Sequence, residues 1–153
     1  MPKVLLAIDD SECSEAAIPA VRTRSCEGYR VARVARRRTT IALIAPEMGR
    51  EVGGYDPTFE AVRDDETKRT QASVARTAEG LRSHGMSVTT AILQGDTKSM
   101  IIDASEEWHA DVIVLGSHGR KALDRFLMGN VSEAITRHAH CSVEIVRIPS
   151  GRR

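Results

Sequence analysis

The residues best suited to chemistry lie between positions 116 and 132. Gly116-Ser117-His118-Gly119 is followed, nine residues on, by Gly129-Asn130-Val131-Ser132. The first stretch comes straight after the apolar run Val112-Ile113-Val114-Leu115. Two glycines after a buried strand let the backbone turn tightly and expose amides in a concave nest that suits phosphate oxygens. Gly129-Asn130 precedes a segment with helical spacing, and a helix start adds free amides and a positive dipole end. Two amide clusters meeting at one point suit a di- or triphosphate. Spacing alone leaves a second reading open, in which Gly116 and Gly119 only turn the chain and Asn130 or Ser132 only caps a helix.

A second candidate is the acidic pair Asp9-Asp10, which ends the run Val4-Leu5-Leu6-Ala7-Ile8. A carboxylate there can accept from ribose hydroxyls or hold Mg²⁺ through water. The alternative is that Asp10, Ser11 or Ser14 caps a helix beginning near Glu15. An acidic end to a first strand also suggests a phosphoacceptor receiver domain. That domain needs an Asp after strand three and a Lys after strand five. Leu93-Gln94-Gly95 and Arg147-Ile148-Pro149 stand there instead, which excludes it. His138-Ala139-His140-Cys141 could ligate metal, but no further ligand is near in sequence, so it reads as an ordinary helix end. His118 could touch phosphate or act as a base. No nucleophile accompanies it, so it reads as loop-stabilising. Cys13 and Cys141 show no basic partner that would mark a reactive thiol, and both read as structural.

These candidates need a scaffold that brings positions 9, 116 and 129 together. The runs at 4–8 and 112–115 are apolar without alternation, as in strands covered on both faces. Thr58–His84 has helical spacing and stops at Gly85, a natural left-handed C′ residue. Val88–Leu93 alternates as a strand, and Gly95-Asp96 turns. Asp96 or Thr97 can cap a helix to about His109, with Ile101, Ile102, Ala104 and Trp108 as its apolar stripe. A helix from Val131 to His138 and a strand Ser142–Arg147 follow. Alternating strands and helices predict a doubly wound parallel α/β sheet. Right-handed crossovers place every strand's C-terminal end on one edge, where ligands bind at the point of reversed strand order.

Composition bounds the rest. In 153 residues, 22 Lys and Arg oppose 21 Asp and Glu, too even a balance for nucleic-acid or membrane binding by bulk charge. Aromatic residues are 3%, which argues against base-stacking platforms. The three cysteines contain no CxxC pair, so neither a disulfide framework nor a structural zinc site is expected. No apolar run is long enough to span a bilayer, and the first one is too short for a signal segment. The expectation is one cytoplasmic domain over residues 1–148 with a short tail, 149–153.

The segment Asp111–Arg147 resembles the C-terminal signature of the universal stress protein family, and Val4–Ser14 resembles its first strand and turn. The pattern Gly-x2-Gly-x9-Gly-(Ser/Thr) marks that family's ATP-binding members. Here it falls on Gly116, Gly119 and Gly129, with Asn130 in place of the hydroxyl residue. The resemblance implies a five-stranded sheet of order 3-2-1-4-5 with helices on both faces, ATP or AMP in the switch-point cleft, and a regulatory rather than strongly catalytic role. It places Asp9 toward the ribose or adenine. Gly116, Gly119, Arg120, Gly129, Asn130, Val131 and Ser132 would surround phosphates and ribose. It also implies a homodimer, and the alternating strand Ser142–Arg147 is suited to pair as an edge. The competing class is an adenine-nucleotide hydrolase or transferase of the same architecture. That reading needs an acid–base pair and a second substrate pocket, and no such pair is evident.

One stretch breaks the pattern. Strand two belongs near Arg22–Thr40, which holds many arginines, and arginines entering a strand covered on both faces face large desolvation costs. Three readings compete: a basic nucleic-acid patch, a solvated loop with strand two displaced to Ile41–Ala45, or a frameshift. Codons can be chosen for Tyr29–Thr40 that, read one base later, give a strand ending in His-Val-Val-x-Pro, as in the family. A shift starting near Gly28 and corrected by Ile41 is therefore expected to damage strand two.

Overall fold

A computed structural model describes residues 2–9, 11–26, 31–37, 57–93, 95–118 and 128–148. The chain alternates β1 (Lys3–Ile8), α1 (Glu12–Cys26), β2 (Val31–Arg37), α2 (Pro57–Arg82), β3 (Ser87–Leu93), α3 (Thr97–Glu107), β4 (Val112–Gly116), α4 (Asn130–His138) and β5 (Ser142–Val146). All neighbouring strands pair in parallel. The sheet order is β3-β2-β1-β4-β5, so the direction of winding reverses between β1 and β4.

The unalternating runs have the reason inferred for them. Val4, Leu6, Ile8, Val112 and Val114 face α1 and α2, against Ala17, Val21, Val74, Ala78 and Leu81. Leu5, Ala7, Ile113 and Leu115 face α3 and α4, against Ile101 and Ile135. Every side chain from Val4 to Leu6 and from Val112 to Val114 is at most 1% exposed. From Val4 to Leu6 and from Val112 to Val114 there is therefore no room for a polar side chain, and the first one after each strand is where chemistry becomes possible.

Helix ends follow their local chemistry. Asp96 accepts from the Ser99 amide at 3.1 Å and starts α3, after Gly95 turns at φ +115°. Beyond α2, Gly85 sits at φ +81°, and the Met86 amide reaches back to the Leu81 carbonyl at 3.4 Å. Helix α1 starts at Glu12, earlier than expected near Glu15, because Ser11 caps it. The Ser11 Oγ accepts from the Ser14 amide at 3.1 Å, and the Ser11 carbonyl takes the Glu15 amide at 2.9 Å.

Strand two corrects the sequence reading. The arginine-bearing segment itself is β2, in register with β1 from Lys3↔Val31 to Ile8↔Arg36 and with β3 from Val31↔Ser87 to Arg37↔Leu93. The displaced position, Ile41–Ala45, lies outside the described residues, and no shifted reading frame is needed for a second strand to form. The physical reason is visible at Arg33. Its Nε donates to Thr89 Oγ1 on β3 at 3.2 Å, and its guanidinium lies 4.8 Å from the centre of the Trp108 ring. Lys3 Nζ lies 5.5 Å from the same ring and donates to the Trp108 carbonyl at 3.0 Å. An aromatic face and a hydroxyl replace much of the water that a half-buried guanidinium loses. Among the described residues, no helix is long and apolar enough to cross a membrane.

Candidate functional site

The ends of β1 and β4 lie side by side, with Ala7 opposite Leu115. Asp9 leaves β1, Gly116 ends β4, and the N-terminus of α4 closes over the same edge. Three of the motif's described parts are held together by short bonds. The Gly129 amide donates to the Ser117 carbonyl at 2.8 Å. Ser132 Oγ reaches the Gly116 carbonyl at 2.8 Å and the Ser117 carbonyl at 3.2 Å. The Ser117 amide donates to the Val146 carbonyl on β5 at 2.9 Å. The loop after β4 is thus fixed to α4 on one side and to β5 on the other.

Two of the motif glycines serve a purpose different from the expected one. Neither Gly116 nor Gly129 has positive φ. A Cβ on Gly116 would meet the Cys13 carbonyl carbon at 2.6 Å, so β4 and the start of α1 touch backbone to backbone. A Cβ on Gly129 would sit 3.0 Å from the Ser117 carbonyl oxygen. These glycines let chain segments approach each other. Gly119 and Arg120 lie outside the described residues.

Other expected site residues divide by what their side chains touch. Asp9 makes the turn into α1: its Oδ1 accepts from the Ser11 amide at 3.0 Å, and its amide donates to Ser14 Oγ at 3.1 Å. Ser132 is 3% exposed and its hydroxyl is engaged by the two carbonyls above, so it locks the loop from within. Val131 packs with the α3–α4 core. Asn130 is exposed at the first position of α4.

The start of α4 is the chemically open feature. Its N-cap, Gly129, has extended backbone (φ −64°, ψ 152°) and no side chain to cap the helix. The first-turn amides of Asn130, Val131 and Ser132 meet no protein acceptor among the described residues. Uncapped amides and a helix dipole at one point are suited in kind to an anion. A shallow cavity of about 430 Å³ begins at Met128 and Asn130 and runs along Glu133, Thr136 and Arg137. The exposed Glu133–Arg137 ion pair, at 2.7 Å, forms its far wall.

Sequence spacing gave no sign of a cluster beneath the loop. Ser117, 1% exposed, places its Oγ 2.9 Å from His118 Nδ1 and 3.7 Å from Cys13 Sγ. Ser11 Oγ donates to the His118 carbonyl at 3.2 Å. Positions 13 and 117 lie far apart in the chain, so only the β1–β4 contact could reveal this grouping. The remaining candidate falls apart in space. His140 Nε2 pairs with Glu106 at 2.7 Å, while burial, and next the charge of Asp111, push the Cys141 thiol above its ordinary range. Among the described residues, no three His, Cys, Asp or Glu side chains are placed to hold a metal ion.

Comparison with known proteins follows the same lines. The family model described as "Universal stress protein family" matches residues 1–147. Universal stress protein MJ0531 of Methanocaldococcus jannaschii is 29% identical over 106 residues, 69% of this chain. The aligned stretch spans only 61% of that relative's own length. The solved structure of hypothetical protein MJ0577, described as a structure-based assignment of biochemical function, has a TM-score of 0.80 at 20% identity and covers 98% of both chains. The structure of the Archaeoglobus fulgidus universal stress protein in complex with dAMP has a TM-score of 0.59 at 19% identity, covering 96% of this chain and 98% of that one. With the family model spanning nearly its whole length, the chain belongs to the universal stress protein family.

Proposed function

We propose that this protein is an adenine-nucleotide-binding regulatory protein that takes ATP, or ADP or AMP, in the cleft between the ends of β1 and β4. The observation that carries the reading is the uncapped N-terminus of α4, pinned beside the β4 loop by the Gly129–Ser117 and Ser132–Gly116 bonds. Amides of Asn130, Val131 and Ser132 would hold phosphate oxygens, with Gly119 and Arg120 completing the loop. Asp9, at the end of β1, would face the ribose or a Mg²⁺ ion. A relative's structure with dAMP supports adenine as the base. Asn130, in place of a hydroxyl residue, keeps the backbone amide on which a helix-terminal phosphate site depends.

Isothermal calorimetry with ATP, ADP and AMP tests the reading, with Gly119→Val as the disabling variant. Binding by the wild type and its loss in the variant are expected. Absence of binding, or unchanged ATP affinity in Gly119→Val, would refute the site.

The protein acts as one unit over residues 1–148 and pairs with a second copy through β5. In a parallel strand the amide and carbonyl of a residue point the same way. The Ser142 amide and the Val146 carbonyl point at β4, so Val143 and Ile145 turn their backbone groups to the open edge. That row of unpaired groups is the means of self-association. Sedimentation at micromolar concentration checks it, and a monomer would count against it.

A further inference from the structure

We propose that Arg24 is the residue that lets β5 pair with a second copy of this chain, by neutralising Glu144 where the two strands meet on the symmetry axis. The inference rests on the β5 pairing put forward above and gives it a register and a charge requirement. Glu144 is the middle residue of β5, Ser142–Val146. Its neighbours Val143 and Ile145 pack with the α3–α4 core. Glu144 turns to the opposite face, the one on which Val146 packs against the α1–α2 core. Arg24, in the last turn of α1, holds it there. Arg24 Nε donates to Glu144 Oε2 at 2.7 Å, and Nη2 of the same guanidinium donates to the same oxygen. The two side chains are 22% and 34% exposed, so the pair is partly withdrawn from water although it lies on an edge strand.

The outward backbone groups limit how a second copy can dock. Val143 and Ile145 present theirs at the open edge, one on each side of Glu144. About a two-fold axis in this edge a strand meets its copy antiparallel. A strand this short uses its whole length only when centre meets centre, with Ser142 opposite the partner's Val146. Val143 and the partner's Ile145 then exchange both ladder bonds, and symmetry repeats the exchange. The same two residues form an apolar cross-strand pair on the α3–α4 face. Glu144 falls on the axis as a non-hydrogen-bonded pair, with Cα atoms about 4.5 Å apart. Like charges directly opposite each other destabilise such a pair, and the repulsion grows as the contact loses water. Arg24 removes the obstacle. Each copy brings a cation on its own carboxylate, so two neutral pairs meet on the axis instead of two bare charges. The occupant this edge fits is therefore another copy carrying the same compensated acid.

Sedimentation of the wild type, Arg24→Gln, and the double variant Arg24→Gln with Glu144→Gln tests the charge requirement. Arg24→Gln should raise the dimer dissociation constant about tenfold or more, as expected when one member of a partly buried charge pair is removed. Removing the acid as well should bring the constant back to within about threefold of the wild type, because the repulsion needs both carboxylates. If Arg24 only tied α1 to β5, the double variant would dissociate as readily as Arg24→Gln. That result overturns the proposal, as does an Arg24→Gln protein that dimerises like the wild type. A second variant reads the register and keeps Arg24 in place. Cα atoms about 4.5 Å apart suit a disulfide, so mild oxidation of Glu144→Cys should give a covalent dimer whose cross-linked peptide joins position 144 to position 144. A Glu144→Cys dimer that links elsewhere, or not at all, overturns the proposal and leaves the β5 pairing intact. A wild type that stays monomeric at micromolar concentration overturns both.

Discussion

Replacing Gly116 by alanine probes how the loop is built. The new Cβ would lie 2.6 Å from the Cys13 carbonyl carbon, 2.8 Å from its oxygen and 2.8 Å from its Cβ. Ordinary contact begins near 3.4 Å, so the end of β4 and the start of α1 must separate by about 0.8 Å. Two of the three opposing atoms are backbone, which cannot rotate away. Overpacking of this kind costs about 1–3 kcal/mol, and with a urea m-value of about 2 kcal/mol/M the midpoint falls by about 0.5–1.5 M. The same displacement pulls Ser117 from Cys13 and the His118 carbonyl from Ser11 Oγ, so nucleotide affinity should fall with stability. Urea denaturation followed by circular dichroism measures the first and calorimetry the second. Cys13→Gly separates the sources of strain because it removes the Cβ contact, along with the Sγ that Ser117 touches, and leaves both backbone contacts in place. In a double-mutant cycle the Gly116→Ala penalty should persist almost whole in the Cys13→Gly background. Recovery of most of that stability would refute the backbone argument, as would a Gly116→Ala protein as stable as the wild type.

Four other outcomes are expected. Ser132→Ala leaves the Gly116 and Ser117 carbonyls without their hydroxyl partner and should cost about 1 kcal/mol in chemical denaturation, with weaker ATP binding measured on the folded variant. Arg33→Ala removes the Thr89 bond and the stacking on Trp108, and should lower stability by about 0.5–1 kcal/mol, which a thermal melt together with Trp108 fluorescence would register. His109 follows the end of α3 at φ +54°, so His109→Gly should raise stability by about 1 kcal/mol, seen as a higher urea midpoint. Ile145→Pro removes an amide that points away from β4 and should shift sedimentation toward monomer; an unchanged dimer would place the interface elsewhere.

The glycine motif also changes what a simple site test means. From spacing, Gly129→Val reads as a block to phosphate approach that spares the fold. In the structure its added atoms meet the Ser117 carbonyl, the acceptor of the Gly129 amide itself. The substitution should therefore reduce stability along with binding, and Gly119→Val is the better-aimed variant for binding alone.

Much of this architecture is local in origin and could be read from the chain. Apolar runs without alternation announced β1 and β4, because a strand covered on both faces has no place for a polar side chain. The Gly95-Asp96 pair and Gly85 marked helix boundaries, because a capping carboxylate and a left-handed turn depend on one or two residues. That Asp9 and Gly116 stand at the ends of β1 and β4 was legible for the same reason: polar residues return where a buried strand ends. The roles of individual side chains were not legible, because they depend on partners distant in sequence. Ser132 turned inward to the Gly116 carbonyl, and Gly116 and Gly129 proved to be close contacts, of β4 with α1 and of α4 with Ser117. Arg33 could enter a strand only because β3 supplies Thr89 and α3 supplies Trp108, neither of which its own segment predicts. The Cys13–Ser117–His118 grouping exists because parallel pairing lays the end of β1 against the end of β4. Capping and periodicity act over a few residues and are written in the chain. Desolvation, close approach and hydrogen-bond satisfaction are settled by whatever the fold brings alongside.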